Sequence, residues 1–260
     1  MAVTYGAYLK IDELLDLQHP LSEPVEHDEM LFIVIHQVSE LWFKQLLHEL
    51  ALLQESLEDD RSSLALGTLK RILAVLKTLV GQMDVLETMT PVAFNAFRHR
   101  LDPASGFQSA QFREIEFVLG LKRPERALNY AVGSAERERI EALTLRPSLW
   151  VSFLRYLRAR GHAVPDEVLE RDYAMATEES PEVQETLMEI YRADLLVTQV
   201  CESLVDLDEG IQEWRYRHFK IAERTIGAKM GTGGSAGAEY LRQTLFRPLF
   251  PDLWAIRSRL

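Results

Sequence analysis

Between His27 and Asp59 the chain repeats apolar residues at intervals of three and four, with no proline or glycine to interrupt them. Read at helical period, Phe32, His36, Ser39, Phe43, Leu46, Leu50 and Leu53 fall on one stripe, which predicts a long helix from about Asp28 to Asp59 with a core-facing side. An imidazole therefore stands where an aliphatic side chain is expected. A lone histidine in such a place is most often a hydrogen-bonded core residue; a ligand or catalytic role needs further support.

The remainder follows the same habit. There is no Asn-Gly or Asp-Gly hairpin turn and no stretch of strict alternation, so the chain is expected to be all-α, a bundle built on several long helices. A short helix is expected from Lys10 to Leu17, a second long one from Leu64 to Glu87, and a third that starts at Thr90-Pro91 and runs to Arg100. Asp102 to Gly106 reads as a loop, and Gln108 to Leu119 as helix. From Lys122 to Glu179, prolines 124, 147 and 165 and glycines 133 and 161 cut the pattern into short pieces, as in a lid or an irregular connection. Ser180-Pro181 opens the longest helical region, to Ile226, with a bend expected at Gly210. Phe246, Leu249, Phe250, Leu253 and Trp254 suggest a packed terminal helix. A single domain over residues 1–260 is expected, with 122–179 as its irregular part.

With 260 residues, 47% of them hydrophobic, a sizeable core can be buried. A formal net charge of −11 disfavours nucleic-acid phosphate and anionic membrane surfaces as partners. The one cysteine, Cys201, excludes an internal disulfide and the Cys-x-x-Cys metal and haem-attachment motifs. The apolar run from Leu31 to Ile35 is far short of the ~20 residues of a membrane span, and no signal peptide is expected near Met1, so a cytoplasmic protein is anticipated.

Leu204, Leu207, Ile211, Trp214, His218, Ile221 and Thr225 share a second stripe, so a second histidine also points inward. Two inward imidazoles on separate long helices are what an iron porphyrin can use, one as axial ligand and one on the open face. No histidine has a glutamate three residues before it, and His48-Glu49 is not followed by a zinc-protease histidine. Gly231-Thr-Gly-Gly-Ser-Ala follows a helix, which removes a dinucleotide site; its backbone N–H groups with Thr232 and Ser235 suit a carboxylate or polar substrate edge, or a plain connector. Phe94 and Arg98 lie four apart with Phe97 beside them, and Arg98 suits either bidentate carboxylate capture or a surface ion pair.

His27-Asp-Glu with Leu31-Phe-Ile, His36-Gln and Glu40-Leu-Trp-Phe-Lys-Gln closely resembles the signature helix of the tryptophan 2,3-dioxygenase family. Tyr5-Gly-Ala-Tyr8, Glu87-Thr-Met-Thr-Pro, Phe97-Arg98, Pro103-Ala-Ser-Gly-Phe-Gln-Ser109, Trp214-Arg-Tyr-Arg-His218 and Gly231-Thr-Gly-Gly-Ser-Ala-Gly237 extend the resemblance along nearly the whole chain, in the family's order. It implies cleavage of the indole C2–C3 bond of L-tryptophan by O2, giving N-formyl-L-kynurenine, on one non-covalent haem b per subunit of a homotetramer. His218 would be the iron ligand, with Gly231 also at the cofactor. His36 would take the indole N–H, Phe32 and Phe94 would pack on the ring, Arg98 would hold the carboxylate, and Thr232 the amino-acid end. Ile33, Val34, Ile35, Leu101 and Ser105 are further substrate-side positions that the resemblance implies. Tyr5 and Tyr8 would reach a neighbouring subunit's pocket. Phe94 stands where some members have tyrosine, and Ala236 where others have serine. A relative that inserts one oxygen to form an oxindole would have a similar pocket, and a haem- or indole-binding protein without turnover is the alternative from another class.

Overall fold

The computed structural model describes residues 3–101, 108–227, 229, 241–242 and 245–260, and among them there is helix but no strand. The amino-terminal segment forms two helices where one was expected, α1 (Tyr5–Leu9) and α2 (Ile11–Leu15). Lys10 between them has φ 54°, a left-handed conformation that a continuous helix cannot accommodate.

Helix α3 (His27–Glu58) has Asp28 and Glu29 in its first turn, where the helix dipole favours negative charge. Glu29 is buried and accepts hydrogen bonds from the backbone N–H groups of Leu21 (2.7 Å) and Ser22 (3.0 Å) and from the Ser22 hydroxyl. Burial alone would raise its carboxyl pKa; these donors outweigh that effect and hold it below the usual carboxylate value. The incoming loop is thus fastened to the first turn of α3. At the other end Asp60 turns left-handed, with φ 54°, and Arg61 donates its N–H to the Ser56 carbonyl at 2.8 Å. The chain reverses in three residues and enters α4 (Ser62–Leu86).

Helix α5 (Pro91–Phe97) is capped by the Thr90 hydroxyl, which accepts the Ala93 N–H at 3.1 Å, with Pro91 in the first turn. The expected run to Arg100 tightens into a 3-10 turn, Arg98–Arg100. Ser109 caps α6 (Ala110–Val118) in the same way. The middle of the chain is broken as expected, into a 3-10 turn (Pro124–Asn129), α7 (Ala135–Thr144), α8 (Leu149–Ala159) and α9 (Asp166–Leu169). Its helix α8 nevertheless packs on α3 and buries Phe153, Leu154, Tyr156 and Leu157 in the main core.

The long region after Ser180 is two helices, α10 (Pro181–Ala193) and α11 (Leu195–Ile226). The break is at Asp194, whose carboxylate accepts the N–H groups of Leu196 and Val197 at 3.1 Å, and not at Gly210. Gly210 lies inside α11, where a Cβ would come within 3.3 Å of Leu76 Cδ1; its role is close packing against α4. Helix α4 lies between α3 and α11 and packs along both. Leu53, Leu57, Leu69, Ile72, Leu79, Leu204 and Leu207 fill that seam. Burying each is worth about 1.5–3 kcal/mol.

A short helix, Pro251–Ala255, closes the core with Leu249, Phe250 and Leu253 buried. Phe246, expected to pack, is 82% exposed in a left-handed turn, so the packed segment starts later than the apolar pattern suggested. Two buried carboxylates tie this segment down. Asp208 of α11 accepts from the N–H groups of Leu249 (2.7 Å) and Phe250 (3.2 Å), from Trp254 Nε1 (2.8 Å) and from Gln212 (2.8 Å). Asp252 in turn accepts from the Ser180 N–H (2.8 Å) and from Gln184 (3.0 Å) at the start of α10. No helix among the described residues is long and apolar enough to cross a membrane.

Candidate active site

Three elements meet at the amino-terminal end of α3. Helix α3 contributes Phe32 and His36, α5 contributes Phe94 and Phe97, and α11 contributes Trp214 and His218. The one-turn spacing of Phe32 and His36 brings their rings to 4.1 Å at a tilt of 35°. Phe32 meets Phe94 at 5.8 Å and Phe97 at 5.6 Å, and Phe94 meets Phe97 at 5.5 Å. On the other side Trp214, one turn before His218, lies 5.2 Å from the imidazole with a tilt of 32°. Trp214 is itself seated on Phe112 of α6 (4.4 Å) and Phe43 of α3 (5.8 Å). Glu116 of α6, receiving Arg215 (3.0 Å), Arg123 (3.2 Å) and Arg113, locks α6 to α11 behind this seat.

His36 does not point into packed core as the stripe suggested. Its surface is exposed, yet surrounding protein lowers its pKa, an effect larger than the opposing influences of the Phe32 carbonyl and Glu40. A ring crowded by protein but reachable by solvent lines a recess. Its Nδ1 lies 2.7 Å from the Phe32 carbonyl oxygen, which can only accept; Nδ1 therefore carries the proton and Nε2 keeps its lone pair. His36 is thus a neutral ring with an acceptor nitrogen left for a ligand.

His218 is half-buried, and no hydrogen bond to its ring nitrogens occurs among the described residues. Burial first, and the neighbouring His36 imidazole second, push its pKa down to about 4. It is a neutral nitrogen donor close enough to His36 for one ring to influence the other's protonation. Among the described residues no three His, Cys, Asp or Glu side chains gather into a metal cage. A single imidazole suits a metal already held by its own macrocycle, and the aromatic walls suit a flat group. These residues fit a haem.

The other predicted positions are placed unevenly. Arg98 opens the 3-10 turn one helical turn after Phe94 and is half-buried, and Leu101, also half-buried, follows that turn. Ile33 is half-buried and Ile35 buried. Val34 is exposed and rotated by roughly 200° from Phe32 along the helix. Tyr5 and Tyr8, 78% and 75% exposed on α1, are not brought to this chain's own recess. Ser105, Gly231, Thr232, Ser235 and Ala236 lie outside the described residues. Phe97 and Trp214 were not singled out as site residues from the sequence; their spacing from Phe94 and His218 was the available signal, whereas nothing marked Phe112.

The fold and site define an all-α protein in which two imidazoles from separate long helices, each with a lowered pKa, stand among a cluster of aromatic rings. The family model described as Tryptophan 2,3-dioxygenase matches residues 1–145 and 190–260, passing over 146–189, the later part of the broken middle and the first part of α10. Among curated relatives, Tryptophan 2,3-dioxygenase of Herpetosiphon aurantiacus is 58% identical over 259 residues, covering 100% of this chain and 99% of that protein. The protein of the same name from Anaeromyxobacter sp. (strain K) is 60% identical over 260 residues, covering 100% and 97%. That of Saccharopolyspora erythraea is 44% identical over 261 residues, covering 99% and 93%. The chain belongs to the tryptophan 2,3-dioxygenase family.

Proposed function

We propose that the protein is a haem-dependent dioxygenase that opens the indole ring of L-tryptophan with O2 to give N-formyl-L-kynurenine, the first step of tryptophan catabolism. Both atoms of O2 stay in the product, one as the ketone oxygen and one in the formyl group. The observation that carries this reading is the pair of neighbouring imidazoles, His218 with its pKa lowered by burial and by His36, and His36 with Nδ1 held by the Phe32 carbonyl so that Nε2 keeps its lone pair. His218 would hold the iron of a non-covalent haem b; Cys201 is fully buried in α11, away from any covalent attachment. Haem, when bound, supplies the activation of O2 that no side chain can.

The chain's own part is binding, orientation and proton placement. His36 Nε2 accepts the indole N–H, which a protonated imidazole could not do, and Phe32 and Phe94, in contact with each other, form a wall on which the ring packs. Arg98 takes the substrate carboxylate. Plain indole offers the guanidinium no carboxylate and forgoes that charge-assisted bond, so it is disfavoured. Gly231 and Thr232 would support the cofactor and the amino-acid end, and Ile33, Ile35, Leu101 and Ser105 the surroundings. Tyr5 and Tyr8, exposed here, would complete a neighbour's pocket in a homotetramer. One domain, with α8 in the main core, and a cytoplasmic location complete the reading.

The test is to incubate the ferrous holoprotein with L-tryptophan under 18O2 and weigh the product. Two labelled oxygens are expected. One labelled oxygen would replace the proposal with an oxindole-forming monooxygenase, and none, despite a Soret band, with a binding protein.

A further inference from the structure

We propose that Phe97 is the positioning residue that sets the width of the indole slot, an inference that rests on the reading of the recess as a tryptophan site. Phe97 is 0% exposed and contributes no surface to the recess itself. Its ring stands edge-on to both rings in front of it, at 63° to Phe32 and 83° to Phe94, with centroids 5.6 and 5.5 Å away. Edge-to-face contact is the favoured arrangement of aromatic pairs, and here one ring makes it twice. Phe32 and Phe94 come from different helices and meet each other only at a tilt, 5.8 Å apart. Phe97 is the wedge between α3 and α5 that fixes the distance between them.

The same residue stands at the junction with the substrate's other end. It is the last residue of α5, and its backbone, at φ −112° and ψ −10°, is where the helix tightens into the 3-10 turn that begins with Arg98. A wedge at this position couples the ring wall to the start of the arginine turn. Shrinking it lets Phe32 and Phe94 settle into the vacated space, which loosens the indole while His218, on α11, keeps its place.

The experiment compares wild-type holoenzyme with Phe97→Leu and Phe97→Met, reading haem content, thermal midpoint, the tryptophan-induced Soret shift, and kcat and KM for L-tryptophan and a ring-methylated tryptophan. Phe97→Leu is expected to raise KM for L-tryptophan about tenfold, with kcat changed much less and haem content unchanged. The preference for L-tryptophan over its methylated analogue should fall, since a loosened slot admits the extra methyl. Phe97→Met, longer and adaptable, should restore most of the wild-type KM. An unchanged KM and preference in both variants overturns the proposal. So does a fall in kcat, haem content and thermal midpoint together in both, which is the mark of a residue that only supports the fold. A wild-type protein that holds haem but shows no response to tryptophan removes the recess reading, and the Phe97 assignment with it; a wild-type response beside unmoved variants removes Phe97 alone.

Discussion

Along α3, the residues from Phe32 to Phe43 and those from Leu46 to Leu57 keep the same spacing of three and four, yet Leu46, Leu50, Leu53 and Leu57 have almost no exposed surface while His36 fronts a recess. The difference comes from what lies opposite. The carboxyl-terminal half of the helix meets α4 and α8, which interlock with it. The amino-terminal half meets α5, a seven-residue helix whose aromatic rings stand as a wall, and the His218 end of α11. Periodicity states which side of a helix faces inward; it does not state whether that interior is filled by the protein or left for something else.

If the two ends are separate in purpose, they should fail separately. The largest effect is expected from His218→Ala: the Soret absorbance per chain should fall more than tenfold while far-ultraviolet circular dichroism keeps its helical signal. Retained haem would remove the ligand assignment. Leu53→Ala, at the filled end, should lower unfolding free energy by about 2–5 kcal/mol in a denaturant titration, with haem stoichiometry of the folded protein unchanged. Parallel loss of haem there would show that the two ends are one unit.

Glu29→Gln should cost about 1–3 kcal/mol by weakening the charge-assisted bonds from Leu21 and Ser22. Because the folded-state pKa of Glu29 is below its unfolded value of 4.5, its contribution is fully present above that value and lost as pH falls through the folded pKa. Wild-type and variant midpoints should therefore draw together as pH falls below 4.5; a gap that widens in acid would contradict this. The smallest effect belongs to Gly210→Ala, where the new Cβ presses on Leu76 and offsets the gain in helix propensity. Stability should fall by less than about 1 kcal/mol, and a clear gain would show the α4–α11 seam to be looser than described.

Much of this architecture could be read from the chain. Thr90-Pro91 and Ser180-Pro181 marked helix starts because a hydroxyl cap and a proline have fixed positional meaning. Asp194 was missed because an aspartate inside a periodic run gives no outward sign that its carboxylate is capping a new helix. Gly210 looked like a bend, since composition cannot reveal that Leu76 crosses at that point. In the site, His36 and His218 stood out as polar interruptions of apolar stripes. Phe97, Trp214 and Phe112 did not, because an aromatic ring in an apolar stripe acquires a particular task only from neighbours distant in sequence.

The reciprocal bonds of Asp208 and Asp252 bear on how the molecule is made. Synthesis delivers α10 and α11 before residues 249–256, and until those arrive Asp208 has only Gln212 to answer it, and the Ser180 amide has no carboxylate to receive it. The nascent bundle therefore waits, unlatched, for residues 249–256 to leave the ribosome, and a truncation before residue 249 would leave α10 and α11 without their bolt.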